Sequence, residues 1–290
     1  MTRVDLRHIP LKATERFPRL RKAPRLAVLG AFVLVCALVC ADLCVPASLF
    51  RHSRSPEAVL LALAIAATLL AMTRELPGQN VLLAALLIVM AVGGVESLNS
   101  LAGLPFGPCV FGERIGRLLF YVVPWPVPLI WLAALLTCRG VARLVLRPWR
   151  RGRNYGWWLI ALTVLLTVLF DFGLQPFAIK VEHYWSWRAL KLFTDWYGAP
   201  WVSFLGRGVT MLILLAFVTP ALINKRPVAQ PPDYFPLLVW LALNALFFTG
   251  AIAHHLWATA VLGGLGALTT TVFAVRGSRA EPPGLRSSLS

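Results

Sequence analysis

Long apolar runs alternate with short polar segments along the whole chain. Eight of these runs approach the ~20 residues that a helix needs to cross a bilayer. They predict spans at 26–45, 57–73, 80–98, 118–138, 156–178, 201–223, 235–252 and 256–275. The pattern therefore predicts an all-α fold: a polytopic integral membrane bundle of about eight transmembrane helices, within a range of about seven to nine.

The predicted spans form one transmembrane domain, residues 26–275, between two tails. Residues 1–25 hold eight Lys and Arg residues, which predicts a basic cytoplasmic tail beside anionic headgroups. Residues 276–290 are rich in Pro and Ser and predict a disordered tail. No small-x-small cleavage site follows the first run, so we expect a retained helix rather than a signal peptide.

Composition supports a membrane protein and changes how the charge is interpreted. Hydrophobic residues make up 58% of the chain and charged residues 14%, whereas soluble domains are about a quarter charged. A net charge of +16 would suit nucleic acid, but the basic residues lie in short segments between apolar runs. We therefore expect membrane lipids as partners and no nucleic acid.

The distribution of basic residues predicts the orientation. With the N-terminus inside, 20 of the 28 Lys and Arg residues fall on the inner side, so both termini are expected in the cytoplasm. This orientation gathers the polar residues of the spans at their outer ends: Asp42, Glu96, Asp171, Arg207 and the pair His254–His255.

Two carboxyl groups, Glu96 and Asp171, are candidates for acid chemistry. A carboxyl in apolar surroundings can keep its proton and act as an acid, and two in one site can divide acid and base roles. The alternative is that each caps a helix or pairs with a basic neighbour such as Arg114 or Arg207, because intramembrane charges are usually paired.

The segment 171–208 carries the densest set of polar and aromatic side chains. Its aromatic residues fit either an interfacial belt or the wall of a functional site. Three prolines within residues 122–131 predict an extended or broken start to the fourth span. Three cysteines repeat every four residues in the first run and are expected to pack there. Adjacent His254 and His255 lack further ligands at usable spacing, so no metal site is expected.

Several motifs in order resemble the bacterial carotenoid biosynthesis membrane family, whose characterised members are carotenoid 1,2-hydratases. The resemblance covers roughly residues 90–225 and rests on Glu96, GLPFG at 103–107, VPWPVPLIW at 123–131, Asp171 to Pro176, WSW at 185–187 and YGAPWVSFLG at 197–206. The chain departs from the family pattern at five positions. Gln175 stands in place of a second acid, Cys109 and Phe111 in place of tyrosines, Ser203 in place of an asparagine and Arg207 in place of a tryptophan.

The resemblance implies hydration of the terminal carbon–carbon double bond of an acyclic carotenoid, with no cofactor or metal. Asp171 or Glu96 is expected to donate the proton while the other carboxyl orients water. Trp185, Trp187 and Tyr197 are expected to line the end-group pocket and stabilise a cation. Further substrate-binding residues are expected at the matching positions Pro105, Phe106, Trp131 and Phe204, and at the departing positions Gln175, Ser203 and Arg207.

The resemblance also implies a bacterial inner-membrane location, a carotenoid or isoprenoid substrate within the bilayer, and association with other enzymes of the pathway. One alternative is a non-catalytic carotenoid or isoprenoid-lipid binding protein, which the missing acid at position 175 favours. Another is a family member that acts on a different isoprenoid. A transporter ranks below these, because the sequence lacks paired half-repeats interrupted by Gly and Pro.

Overall fold

The computed structural model describes residues 22–45, 55–150, 152–188, 195–222 and 231–279. Eight α-helices lie within these ranges: α1 Lys22–Cys44, α2 Ser55–Met72, α3 Gly78–Ala102, α4 Pro126–Val145, α5 Tyr155–Pro176, α6 Trp201–Val218, α7 Phe235–Ala253 and α8 Trp257–Arg279. The predicted all-α fold is confirmed. Seven helices of the described ranges are long and apolar enough to cross a membrane, and α2 contributes a shorter apolar helix, Pro56–Met72.

The predicted span at 118–138 begins too early and ends too early. Residues Leu118–Leu119 (β2) and Val123–Pro124 (β3) form a short antiparallel hairpin, and α4 begins only at Pro126. Proline fits the first turn of a helix, because an N–H group at that position has no acceptor within the helix. The extended start predicted from the prolines is thus present, and the helix continues to Val145 instead.

Helix α4 lies at the centre of the bundle and contacts α2, α3, α5, α7 and α8. Its side chains include Ala133 and Ala134, which are almost fully buried and allow close helix packing. Charged residues tie the helices together at one end of the bundle. Arg25 contacts Asp233 at 2.7 Å, and Arg143 pairs with Glu75.

The other end of the bundle carries the remaining short strands. Residues Cys109–Phe111 (β1) pair antiparallel with Trp185–Trp187 (β4), and Asp195–Trp196 (β5) pairs with Ala199–Pro200 (β6). A π-helical turn, Phe177–Val181, leads from α5 towards β4. This end also holds the polar residues that the sequence placed together. Which face of the membrane it meets stays a prediction.

The tails are only partly described. Helix α1 already begins at Lys22, and α8 extends to Arg279, beyond the predicted boundaries at 25 and 276. Residues 1–21 and 280–290 lie outside the described residues, so the expected basic and disordered tails stay predictions.

Candidate functional site

Three helices bring Glu96, Asp171 and Arg207 together at one buried point. Glu96 comes from α3, Asp171 from α5 and Arg207 from α6, and each side chain is at most 7% exposed. The helical repeat explains which neighbours accompany them, because residues three or four apart share a face. Asn99 follows Glu96 by three residues and Ser203 precedes Arg207 by four, and both are buried.

The guanidinium of Arg207 is shared by the two carboxyl groups. Its Nη1 donates a hydrogen bond to Asp171 Oδ1 at 3.0 Å, whereas Nη2 lies 3.8 Å from Glu96 Oε1. The second distance is too long for a hydrogen bond, so Asp171 is the closer partner. Pairing with Arg207, which the sequence left as one alternative, is therefore present. Arg114 instead pairs with Glu182 at 3.0 Å.

Aromatic rings surround the same guanidinium. The Arg207 Cζ atom lies 5.3 Å from the ring centroid of Trp131, 5.6 Å from that of Phe106 and 5.8 Å from that of Trp187. Cations are attracted to aromatic faces within about 6 Å. Of the three rings expected to stabilise a substrate cation, Trp187 is among those that face this fixed cation of the protein, whereas Trp185 and Tyr197 are not.

Gln175 links this cluster to the strand β4. Its Nε2 donates to Asp171 Oδ1 at 3.4 Å, and its Oε1 accepts from the indole N–H groups of Trp185 at 3.0 Å and Trp187 at 3.1 Å. Alternate residues of a strand point to the same side, which is why both indoles reach one amide. Trp185 is buried and its indole N–H donates to another side chain of the protein, whereas a residue of an interfacial belt would face lipid headgroups and water.

Several buried polar atoms of the cluster have no hydrogen-bond partner among the described residues: Glu96 Oε1, Asn99 Nδ2, Asp171 Oδ2, Ser203 Oγ and Arg207 Nε. Buried polar groups normally find partners in protein or ordered water. Their concentration around one guanidinium makes this cluster the candidate polar site. The sequence did not single out Asn99, although its spacing from Glu96 was available as a signal.

The remaining predicted site residues divide between two places. Phe106 is fully buried, and its backbone N–H donates to Asn99 Oδ1 at 2.9 Å. The preceding Pro105 lies against α6, where its carbonyl approaches Gly206. Phe204 and Tyr197 instead belong to a separate aromatic cluster. Phe204 stacks on Phe172 with the ring centroids 4.6 Å apart, and Tyr197 packs edge-on against Trp196.

A cavity of about 360 Å³ lies on a different face of α4 and α5. Its lining is mostly apolar and includes Leu60, Ile130, Leu174 and Phe247. None of the residues that line it belongs to the Glu96–Asp171–Arg207 cluster. The sequence did not predict this cavity.

The polar end of the cavity contains Glu57, Arg114, Glu182 and Tyr184. Burial raises the pKa of Glu182 to about 7, and repulsion from the facing Glu57 carboxyl adds to this shift while Arg114 opposes it. Glu182 therefore exchanges its proton near neutral pH. Glu57 and Glu182 are far apart in sequence, and neither lies in a motif that pointed to a site.

Comparison with known proteins identifies a family. A family model described as "Carotenoid biosynthesis protein" matches residues 57–270, well over half of the chain. No curated protein and no solved structure matches the chain. The matched range includes both the Arg207 cluster and the apolar cavity.

Proposed function

The chain belongs to the carotenoid biosynthesis protein family, and from that premise we propose that it hydrates the terminal double bond of an acyclic carotenoid. Membership gives the protein a role in carotenoid biosynthesis. The particular reaction is our proposal, as are the bacterial inner membrane as its location and the cytoplasm as the side of both termini. The apolar helices are in keeping with a substrate that resides in the bilayer.

One observation carries the proposal: two buried carboxyl groups share one guanidinium. A single arginine balances a single carboxylate, and a second uncompensated charge is expensive inside a membrane protein. Asp171 makes the short contact with Arg207 and also accepts from Gln175. Glu96 is then the carboxyl that carries a proton, and we assign it as the proton donor.

The proposed reaction balances without an oxidant or a reductant. The Glu96 carboxyl transfers its proton to the less substituted carbon of the double bond, which leaves a tertiary cation and a Glu96 carboxylate beside it. Water adds to the cation and returns a proton to Glu96. The net change is one alkene plus one water to one tertiary alcohol, with the acid regenerated.

The surroundings of Glu96 supply the other functions that this reaction needs. The Glu96 carboxylate offsets the charge of the new cation, while Asp171 continues to balance Arg207. Trp131 and Trp187 lie beside the Arg207 guanidinium, so aromatic rings that attract positive charge are present next to this site. Asp171 Oδ2, Asn99 Nδ2 and Ser203 Oγ are free of described partners and can hold the water.

Co-expression in a bacterium that accumulates lycopene or a monocyclic carotene tests the proposal. We expect a pigment heavier by one water in cells that contain the wild-type protein. Glu96→Gln removes the proton donor and should reduce this product at least a hundredfold, since general acids contribute about 10²–10⁴-fold. Asp171→Asn should also reduce it strongly, because Arg207 then pairs with Glu96 and holds it as a carboxylate.

The matched control is Glu113→Gln, which makes the same change at an exposed glutamate. This variant should form as much product as wild type when both are present in the membrane at equal amounts. Full product formation by both Glu96→Gln and Asp171→Asn would show that the assignment of the acid is wrong. Unchanged pigment with folded wild-type protein would contradict hydration of these substrates.

A non-catalytic carotenoid or isoprenoid-lipid binding protein is the second candidate function. It is favoured by the position of Arg207, which occupies the space between aromatic rings that a substrate cation would need. Gln175 in place of an acid favours it too. Recovery of unchanged carotenoid in stoichiometric complex with the purified protein, together with unchanged pigment in the cells, would support this alternative.

A further inference from the structure

The apolar cavity has the dimensions and the lining of a site for a small hydrophobic group. Its volume of about 360 Å³ lies within the ~300–1,000 Å³ that is usual for ligand pockets. Five helices contribute to its wall, through residues such as Val39 of α1, Leu60 of α2, Ile130 of α4, Leu174 of α5 and Phe247 of α7. Branched aliphatic and aromatic side chains suit the methyl-branched chain of an isoprenoid.

One end of this cavity is polar and is built from buried groups. Glu182 is 6% exposed and Tyr184 is 9% exposed. Glu182 Oε2 lies 3.0 Å from Arg114 Nη2, yet it lacks a hydrogen bond of good geometry to any described residue. A ligand hydroxyl at this end would donate the missing hydrogen bond. A hydrocarbon would leave this oxygen with the Arg114 ion pair alone and would add no hydrogen bond.

A second, more polar cavity of about 900 Å³ continues from the same point. It shares Glu57, Arg114 and Glu182 with the apolar cavity, and its other lining residues include Asp42 and His254. The carboxyl groups of Glu57 and Glu182 thus lie where an apolar compartment meets a polar one. A ligand that fits both compartments has an apolar body and a single polar end.

We propose that this cavity binds the end of an isoprenoid alcohol, with the hydrocarbon chain among α1, α2, α4, α5 and α7 and the hydroxyl hydrogen-bonded to Glu182. The proposal draws on the family role in carotenoid biosynthesis but does not depend on hydration. It defines a second site, in addition to the Arg207 cluster. The tertiary alcohol that hydration would form belongs to the same chemical class.

The two sites lie on different faces of α4 and α5. Phe170 and Leu174 line the cavity, whereas the next residue in each case, Asp171 and Gln175, belongs to the Arg207 cluster. Adjacent helical residues point in different directions, which places the two sites on different sides of α5. Changes at one site can therefore be tested without touching the other.

Equilibrium binding to the full-length protein in lipid nanodiscs tests the proposal. The probe is radiolabelled geraniol, and the comparison is the hydrocarbon of the same carbon skeleton without the hydroxyl group. Saturable binding is measured as the part that unlabelled geraniol displaces, with empty nanodiscs as the blank for partition into lipid. At a pH above 7, where Glu182 is mostly a carboxylate, wild-type protein should bind geraniol at least tenfold more tightly than the hydrocarbon, as expected for a hydrogen bond to a charged acceptor.

Two variants separate the polar and apolar parts of the site. Glu182→Leu removes the acceptor, and the affinities for the alcohol and the hydrocarbon should then agree within about twofold. We expect this variant to fold, because Arg114 is 40% exposed and can turn to water. Ala133→Leu, at a buried position of the lining, fills the cavity and should weaken the binding of both probes at least tenfold.

Equal wild-type affinities for the two probes would overturn the proposal, as would unchanged geraniol binding in a folded Ala133→Leu protein. If Ala133→Leu fails to fold, Ala58→Leu fills the same cavity from α2. Glu96→Gln should bind geraniol like wild type. A variant that no longer hydrates carotenoids should therefore still bind geraniol. Failure of the hydration proposal can thus be distinguished from failure of the binding proposal.

Discussion

Arg207 is the residue on which the buried polar cluster depends. It contacts two carboxyl groups and three aromatic rings, and it is almost fully buried. Removing one partner of a buried ion pair typically costs 3–5 kcal/mol, because the remaining charge is left uncompensated. Mutating Arg207 would therefore disturb both the fold and the proposed protonation of Glu96, and the two effects could not be separated.

Gln175 permits a cleaner test of the cluster, because it carries no charge. Gln175→Leu removes the acceptor for the indole N–H groups of Trp185 and Trp187. Each buried donor left unpaired costs about 1–3 kcal/mol, so we expect the free energy of unfolding to fall by at least that amount. Unfolding by dodecyl sulfate in mixed micelles measures the change.

Gln79→Leu is the control, since it makes the same substitution at an exposed position of α3. It should alter the free energy of unfolding by no more than about 0.5 kcal/mol. Equal stability of the Gln175→Leu and wild-type proteins would show that the amide does not hold the two indoles.

At this scale the sequence predicted which residues would be polar and buried, but not their partners. The spacing of Asp171 and Gln175 was available as a signal for one shared helix face, but the prediction did not use it. It could not decide between Arg114 and Arg207 as the cation beside the acids, because that choice depends on how α3, α5 and α6 pack. The sequence did not predict a site at Glu57 and Glu182 for the same reason. These residues come together only when α2 packs close to the segment after α5.

Among the elements, α6 holds the site together through a close contact with the loop before β1. A Cβ atom at Gly206 would lie 2.8 Å from the Pro105 carbonyl oxygen and 3.1 Å from the Phe106 ring. The first of these is a backbone atom and cannot move alone. Gly206 thus lets α6 approach the loop that places Phe106 beside Arg207.

Gly206→Ala should therefore reduce the free energy of unfolding by about 1–3 kcal/mol, the usual cost of overpacking. It should also displace Phe106 and reduce product formation in the co-expression assay. Unfolding in mixed micelles and pigment analysis measure the two effects.

Gly208→Ala is the matched control on the same helix. Its Cβ atom would meet Val168 at 3.5 Å, which is an ordinary contact. Alanine is the better helix former by roughly 0.5–1 kcal/mol, so this variant should be as stable as wild type or more so. Greater loss of stability in Gly208→Ala than in Gly206→Ala would contradict the packing that the structure shows.

Hydrophobic runs located the eight helices well, since the length of a span follows directly from bilayer thickness. The start of α4 was the main error. Residues 118–125 are apolar enough to extend a span, but they form the β2–β3 hairpin instead. Hydropathy does not distinguish an apolar hairpin at the end of a bundle from a further helical turn. The prolines of this segment were the more reliable signal.

The whole molecule carries two candidate sites on different faces of α4 and α5. The Arg207 cluster lies towards α3 and α6, and the apolar cavity lies towards α1, α2 and α7. The Arg207 cluster and both cavities lie towards the end of the bundle that carries the short strands. The sequence predicted that polar residues gather at one end, because alternating helices return polar termini to the same side. The cavity could not be predicted, as it arises from the packing of five helices.

The most direct test of the central claim is the origin of the atoms added to the substrate. Purified protein is incubated with lycopene in deuterium oxide whose oxygen is isotopically labelled, and the product is analysed by mass spectrometry after exchange into ordinary water. Acid-catalysed hydration predicts one carbon-bound deuterium and one labelled hydroxyl oxygen, with no such product from Glu96→Gln. A product whose oxygen does not come from water, or that lacks carbon-bound deuterium, would contradict the proposed reaction.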